Sequence, residues 1–265
     1  MEMSTSITED VVRGLAKAEQ EQQAEAKKAK EVTQGWVSVE ELPSKKLPYP
    51  DIEVSVRPLT WAEEKALAQT KSISEQIKLV GRGIHSTVPL LDLTSGDFEY
   101  LVLMRRLVSY GDESFNMTHV CKKCGSKHTT EIKTSDIDIQ ELPINKLPVV
   151  IEDSATGLVL EMGPLSMRDF IREADNPKRA DVEQRIYACM FKNMSKQEAM
   201  KLLNEADAAL GQYIEEVASE NLLHRVKPMK AVCPDCGEEY EVNFNILGTE
   251  AMFSPIGKAK RFNTH

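Results

Sequence analysis

The chain has 265 residues, of which 28% are charged and 41% are hydrophobic, and its formal net charge at pH 7 is −9. This length allows one large domain or two small ones, and the acidic balance argues against a general nucleic-acid binder that neutralises phosphates. No apolar run approaches the roughly 18 residues of a membrane-spanning helix. The first residues are acidic and lack an apolar stretch, so we expect no signal peptide.

Residues 6–33 predict a long N-terminal helix. Ser6 and Glu9 have the spacing of a capping box at its start. Apolar side chains occur only in its first turns, and the remainder is polar on every side. Such a helix is stabilised by solvent or by a partner and not by the core of its own chain. We therefore assign residues 1–35 to an N-terminal helical extension that binds a partner.

Three prolines mark the next segment, residues 36–50. They favour an extended, docked or linking path, because proline and the residue before it avoid helical conformations. We assign this segment to a proline-bearing linker, and together with the N-terminal helix it is the expected site of partner binding. The prolines are Pro43, Pro48 and Pro50.

From residue 51 onward the chain repeats one pattern. A strand followed by Pro-Leu-Thr begins the first half, and a strand followed by Pro-Leu-Ser begins the second. Each of these segments has the spacing of a helix capping box, Thr60 with Glu63 and Ser166 with Asp169. Each half then continues with helices and closes with a CxxCG sequence between two strand-like stretches.

The sequence therefore predicts an α+β, helix-rich fold with two pseudo-repeats, residues 51–150 and residues 151–265. Each pseudo-repeat consists of a strand, helices and a knuckle hairpin. A four-cysteine zinc-ribbon-like site is predicted to join them, so that residues 51–265 form one compact zinc-clamped domain.

Four of the five cysteines carry the prediction of a metal site. A CxxCG turn places two thiolates on one side of a tight loop, and two such turns complete the tetrahedron that Zn²⁺ prefers. A shell of four thiolates leaves no open position, so we expect one structural zinc ion per chain. Sets in which His119 or His128 replaces a cysteine remain open. The predicted ligands are Cys121, Cys124, Cys233 and Cys236.

Other chemistries fit the cysteines less well. A redox CxxC motif stands at the start of a helix, whereas both motifs here lie between strand-like stretches. Disulfides are not expected in an apparently intracellular chain. A zinc hydrolase with a mixed Cys/His site and an open position is a further hypothesis.

The remaining candidates predict structural roles. Cys189 has helical spacing from apolar residues, which predicts a buried thiol. His85 and His224 each follow an apolar helix, where a surface or capping role is expected. Arg105 and Arg106 lie on an otherwise apolar helix, and we expect one of them to pair with a carboxylate or to point to solvent. No catalytic constellation is present, so the sequence does not predict an enzyme.

Several motifs occur in an order that resembles the T4-type bacteriophage baseplate protein family, whose members are baseplate hub subunits or hub assembly proteins. The resemblance runs from about Leu42 to about Phe253 and leaves residues 1–35 outside. Lys46 occupies a turn position where glycine is usual in the family. The motifs are ELPSKKLPYPD, IEVSVRPLTWAEEKAL, LDLTSGDFEYLVLMRRLVSYG, and CKKCG followed by a strand and DIDIQEL.

The resemblance implies a non-enzymatic structural or assembly protein of the central hub of a contractile tail baseplate. Its implied partners are other hub or tail proteins, with no membrane partner and no sequence-specific nucleic acid. It would occur in the host cytoplasm during assembly, and either remain in the tail baseplate or leave as a chaperone.

The alternative is a zinc-ribbon adaptor that binds nucleic acid or transcription-type partners. This function needs a basic, aromatic face near the knuckles. The first knuckle is basic and the second is acidic, which favours contacts between proteins or within the chain. The charged residues are Lys122, Lys123 and Lys127 in the first, and Asp235, Glu238 and Glu239 in the second.

Overall fold

The structure, a computed structural model, describes residues 35–70, 72–154, 156–174, 181–223 and 226–242. Within these ranges the chain forms seven α-helices and nine short strands. This confirms the prediction of a mixed, helix-rich fold. The predicted N-terminal helix over residues 6–33, its capping box and His224 lie outside the described residues.

The helices and strands follow one another along the chain with short connections. They are β1 (Val37–Ser38), β2 (Val54–Val56), α1 (Trp61–Leu67), α2 (Ile73–Gly81), β3 (Ile84–Ser86), α3 (Ser95–Tyr110), β4 (Phe115–Val120), β5 (Lys127–Ile132), β6 (Val149–Asp153), β7 (Leu158–Met162), α4 (Met167–Ala174), α5 (Val182–Met190), α6 (Lys196–Glu205), α7 (Ala208–Glu216), β8 (Met229–Val232) and β9 (Glu239–Val242). A π-helical segment, Val217–Leu222, continues α7.

All strand pairs are antiparallel and the sheets are small. Strands β1, β2 and β3 form one sheet in that order, and β4–β5, β6–β7 and β8–β9 are separate hairpins. In β2, Val54 and Val56 both face the core, as the alternation predicts. In β7, Leu160 and Met162 are fully buried in the same phase.

The predicted capping boxes are present at both Pro-Leu-Thr/Ser sites. At α1 the Thr60 side chain accepts from the N–H of Glu63 at 3.2 Å, and Glu63 Oε2 accepts from the N–H of Thr60 at 2.9 Å. At α4 the N–H of Asp169 donates to Ser166 Oγ at 3.2 Å, and this hydroxyl contacts the Asp169 carboxylate at 2.8 Å. These side chains satisfy backbone groups that a helix end leaves without partners, so both helices begin where the sequence predicts.

One helix is shorter than its apolar pattern indicates. Helix α2 ends at Gly81, and His85 lies in strand β3 opposite Ser55. The expectation that His85 ends a helix is therefore wrong. The reason is the Gly-Arg-Gly sequence at residues 81–83, which interrupts the helix before the chain turns into the sheet.

The proline-bearing segment takes the docked path. Val39, Leu42 and Tyr49 are buried in the core, and the Pro43 carbonyl accepts from the N–H of Leu142 at 2.9 Å. Residues 36–50 are thus part of the packed structure and not a free linker, although the boundaries of the domains themselves stay a prediction.

The described residues form two apolar cores. The first contains β2, β3, α2 and α3, and the second contains β7, α5 and the π-helical segment. The inward side chains of the β8–β9 hairpin pack on the first core, although this hairpin ends the predicted second half. These side chains are Met229, Ala231, Tyr240 and Val242. The internal duplication stays a prediction.

Both arginines of α3 are fully buried. Arg105 pairs with Glu63 at 2.6 Å, which agrees with the expectation that one arginine finds a carboxylate. The Arg106 guanidinium lies 4.6 Å from the ring centre of Phe115 and 5.1 Å from that of Tyr110. Such contacts offset part of the cost of removing a guanidinium from water.

A buried carboxylate attaches the docked segment to the start of α3. Asp97 Oδ1 accepts from the N–H of Ser44 at 2.9 Å, and the Tyr49 hydroxyl donates to Asp97 Oδ2. Burial outweighs these hydrogen bonds and raises the pKa of Asp97 from 3.8 to about 6. The folded state therefore holds this proton more tightly than the unfolded chain.

Stability is expected to depend on the protonation of Asp97. The stabilisation by its proton is present below the unfolded pKa of 3.8 and is lost as the pH rises through about 6. Between about pH 5 and about pH 8 we expect the wild type to lose about 1 to 2 kcal/mol more than Asp97→Asn, which has no proton to release. Urea unfolding of both proteins across this range measures the difference, and parallel pH profiles would contradict the assignment.

Candidate metal centre

Each CxxCG sequence forms the turn of a hairpin, and the two turns have the same backbone hydrogen bonds. The N–H of Gly125 donates to the Cys121 carbonyl at 2.9 Å, and the N–H of Gly237 donates to the Cys233 carbonyl at 2.8 Å. Both glycines have a positive φ, +75° and +71°. A residue with a Cβ rarely adopts this conformation, which explains the glycine after each second cysteine.

The two turns bring four sulfur atoms together. Cys121 Sγ lies 3.8 Å from Cys236 Sγ, and Cys124 Sγ lies 3.6 Å from Cys233 Sγ. All four sulfurs lie within 4.8 Å of one another. Zinc–sulfur bonds of about 2.3 Å in a tetrahedron place sulfurs about 3.8 Å apart. The cluster therefore has the dimensions of a four-thiolate zinc site.

The same distances exclude disulfides in this arrangement. A disulfide needs a sulfur–sulfur distance of about 2.05 Å, and the five cysteines are free. Cys121 and Cys233 are buried, whereas Cys124 and Cys236 lie at the surface. Each turn thus presents one inner and one outer thiol to the same point.

The electrostatics of the cluster favour a cation. Hydrogen bonds from the Ser126 hydroxyl and N–H lower the pKa of Cys124 to about 6. At Cys236, burial and the three neighbouring thiols outweigh a hydrogen bond from the N–H of Glu238 and raise the pKa to about 12. Four thiols this close do not all ionise unless positive charge is present, because each thiolate disfavours the next.

The opposite charges of the two knuckles meet in the structure. Lys123 Nζ lies 2.6 Å from Glu238 Oε2, so the ion pair joins one turn to the other. Both side chains are largely exposed, and such a pair contributes about 1 kcal/mol or less. It orients the turns and occupies one of the lysines that an electrostatic nucleic-acid interface would use.

The two histidines considered as alternative ligands lie beside the cluster. His128 Nε2 is 3.2 Å from Cys233 Sγ and 3.8 Å from Asp235 Oδ2. His119 Nδ1 is 2.7 Å from the Tyr240 hydroxyl, on the opposite hairpin. Sequence analysis missed these contacts between hairpins. The signal that could have revealed them is the shift of 112 residues that aligns the two knuckles, because it also aligns His128 with Tyr240.

Cys189 lies away from this cluster, in the second core. Its Sγ is 3.5 Å from Arg172 Nη2, and burial raises the pKa of the thiol. A raised pKa leaves the thiol protonated and unreactive, which agrees with the predicted structural role. Sequence analysis missed the neighbouring buried carboxylate of Glu173, which pairs with Arg185 at 2.8 Å.

Comparison with known proteins gives the class of this protein. The model of one family, described as T4 bacteriophage base plate protein, matches residues 37–247 and so includes both hairpins. The protein is thus a structural protein of the phage baseplate. The chain belongs to the T4 bacteriophage base plate protein family, which confirms the resemblance seen in its motifs.

Two further comparisons add no relative. Neither the curated proteins nor the solved structures contain a match to the chain. Among the described residues, no helix has the length and apolar character needed to cross a bilayer.

Proposed function

We propose that this protein is a non-enzymatic structural or assembly protein of the central hub of a contractile tail baseplate, where it binds other hub or tail proteins. The family match over residues 37–247 carries this proposal. The four-thiol cluster supports it, because a metal with four thiolate ligands has no position left for a substrate or a water molecule. Host cytoplasm is the proposed location during assembly.

The proposed cofactor is one structural Zn²⁺ ion per chain. Four sulfurs at tetrahedral spacing support Cys121, Cys124, Cys233 and Cys236 as its ligands. When bound, the ion adds its binding free energy to the folding of the hairpins that hold it. The ligands come from both predicted halves, so the metal would fasten β8–β9 to β4–β5.

Fractionation of baseplate intermediates tests the hub assignment. Central hubs and outer wedges are isolated separately from infected cells, and the protein is quantified in each by mass spectrometry. We expect it in the hub fraction; its presence only in wedges would contradict the proposal. The same measurement on finished particles separates a resident subunit from an assembly protein that leaves.

The N-terminal extension is the proposed partner-binding element. Deleting residues 1–35 is expected to leave a folded core, because the described core residues begin at Val39, and to abolish binding to co-expressed hub proteins. Circular dichroism, zinc content and co-purification measure the three properties. Unfolding of the truncated protein, or binding as strong as that of the full chain, would contradict this expectation.

The lysines of the first knuckle favour the zinc-ribbon adaptor as a second candidate. Against it, Lys123 pairs with Glu238, and the second knuckle adds further acidic side chains. A gel-shift titration with duplex DNA at low and high salt tests it, since phosphate contacts give strong salt dependence. We expect no shift, and a salt-sensitive complex would favour the adaptor.

A further inference from the structure

Two side chains at matching positions of the hairpins each reach across to the other hairpin. His128 on β5 contacts Cys233 in the second knuckle, with Nε2 3.2 Å from Sγ. Tyr240 on β9 contacts His119 on β4, with the hydroxyl 2.7 Å from Nδ1. The two knuckles therefore meet through reciprocal side-chain contacts as well as through their thiols.

The contact of His128 has the chemistry of a donor to a ligand. A thiolate only accepts hydrogen bonds, so the imidazole Nε2–H donates to Cys233 Sγ. The His128 side chain is only 13% exposed, so little water competes for this bond. A hydrogen bond to an ionised acceptor is stronger than one between neutral groups.

The contact of Tyr240 is independent of the thiols. Its hydroxyl donates to His119 Nδ1, and His119 Nε2–H donates to Thr130 Oγ1 at 2.6 Å. This chain of hydrogen bonds uses the neutral form of His119 and connects three strands, β9, β4 and β5. It holds the hairpins side by side whether or not a metal is present.

The geometry points to His128 as a positioning residue that holds Cys233 for the metal, with Tyr240 and His119 fixing the approach of the two hairpins. This inference rests on the zinc site of the proposed function. His128 is not itself a ligand in this arrangement, because the four sulfurs already have tetrahedral spacing without it. Loss of a hydrogen-bond partner behind a metal ligand typically lowers metal affinity about 10- to 100-fold.

The test compares metal binding by the full-length wild type with His128→Leu and His128→Gln. Zinc affinity is measured by competition with a chelator, and Co²⁺ substitution reports the ligand set by absorption. We expect His128→Leu to lower zinc affinity about 10- to 100-fold while the four-sulfur cobalt spectrum is kept. His128→Gln keeps a donor near the Nε2 position, so it should regain most of the affinity.

Two further variants serve as controls. His85→Gln removes a histidine on β3, away from the knuckles, and is expected to leave zinc affinity unchanged. Tyr240→Phe removes one hydroxyl and is expected to lower zinc affinity less than His128→Leu, because no ligand loses its donor. Circular dichroism establishes that each variant is folded.

Each alternative result is distinguishable. Equal zinc affinity of wild type and His128→Leu, with four-sulfur spectra in both, would overturn this inference and leave the zinc site intact. A mixed nitrogen–sulfur cobalt spectrum that changes in His128→Leu would make His128 a ligand and also overturn it. A wild type that binds no metal would overturn the inference together with the zinc site.

Discussion

Replacement of Cys233 and Cys236 by serine is expected to abolish zinc binding and to detach the β8–β9 hairpin from the first core. Two ligands cannot hold the ion at structural-site affinity, and structural zinc contributes on the order of 10 kcal/mol or more to the folding of small zinc modules. A two-stranded hairpin is at best marginally stable alone. Its packing through Met229, Ala231 and Val242 is therefore expected to weaken with the metal.

Metal content and thiol count of the purified proteins measure this effect, and urea unfolding measures its consequence for stability. We expect one zinc ion per chain in the wild type and none in the double variant. Cys121→Ser with Cys124→Ser should give the same loss, because each knuckle supplies half of the site.

The fifth cysteine provides a matched control. Cys189→Ala lies in the second core and should keep the full zinc content. Zinc retained after loss of Cys233 and Cys236 would mean that the two knuckles do not share one site.

Glu63→Ala is expected to destabilise the fold by about 3 to 5 kcal/mol, because it leaves a buried charge without its counter-ion. Arg105 is fully buried, and its Nη2 lies 2.6 Å from Glu63 Oε2. The carboxylate also receives Arg57 Nη2 at 2.7 Å. The carbonyls of Leu79 and Val80 accept from Arg105 but carry no full charge.

The same carboxylate predicts a loss of stability in acid. Burial raises the pKa of Glu63, but hydrogen bonds from Arg57 and Thr60 and the charge of Arg105 outweigh it and lower the pKa from 4.5 to about 2. A lowered pKa in the folded state means that the stabilisation is present above about 4.5 and is lost as the pH falls through about 2. Glu63→Ala should remove this part of the acid sensitivity.

An exposed ion pair is the control for the buried one. Lys201 and Glu205 lie 4.0 Å apart on α6, and both side chains are mostly exposed. Glu205→Ala should change the free energy of unfolding by about 0.5 kcal/mol or less. Comparable losses in Glu205→Ala and Glu63→Ala by urea unfolding would contradict the importance of burial.

Sequence reasoning is most accurate where the contacts are local. The capping side chains of Thr60 and Ser166 act within three residues of their partners, so their spacing is enough to predict the helix starts. The knuckle turns depend on one glycine each, and the positive φ at Gly125 and Gly237 follows from the residue type.

Reasoning from pattern is less accurate where a residue's surroundings come from distant parts of the chain. Apolar spacing alone extends α2 beyond Gly81 and places His85 at a helix end, whereas pairing with β2 draws His85 into a strand. The prolines of residues 36–50 restrict the backbone, but they do not reveal that Tyr49 donates to a buried carboxylate on α3.

The sequence by itself determined the family, the mixed helical and sheet composition, the inward face of β2 and the two CxxCG turns, because these depend on residue type and short spacing. Only the tertiary structure decided that the two turns meet, that β8–β9 packs on the first core, and that Arg105 is buried against Glu63. The physical reason is that these contacts join residues far apart in the chain. Their stability comes from apolar burial and paired charges, which no local pattern records.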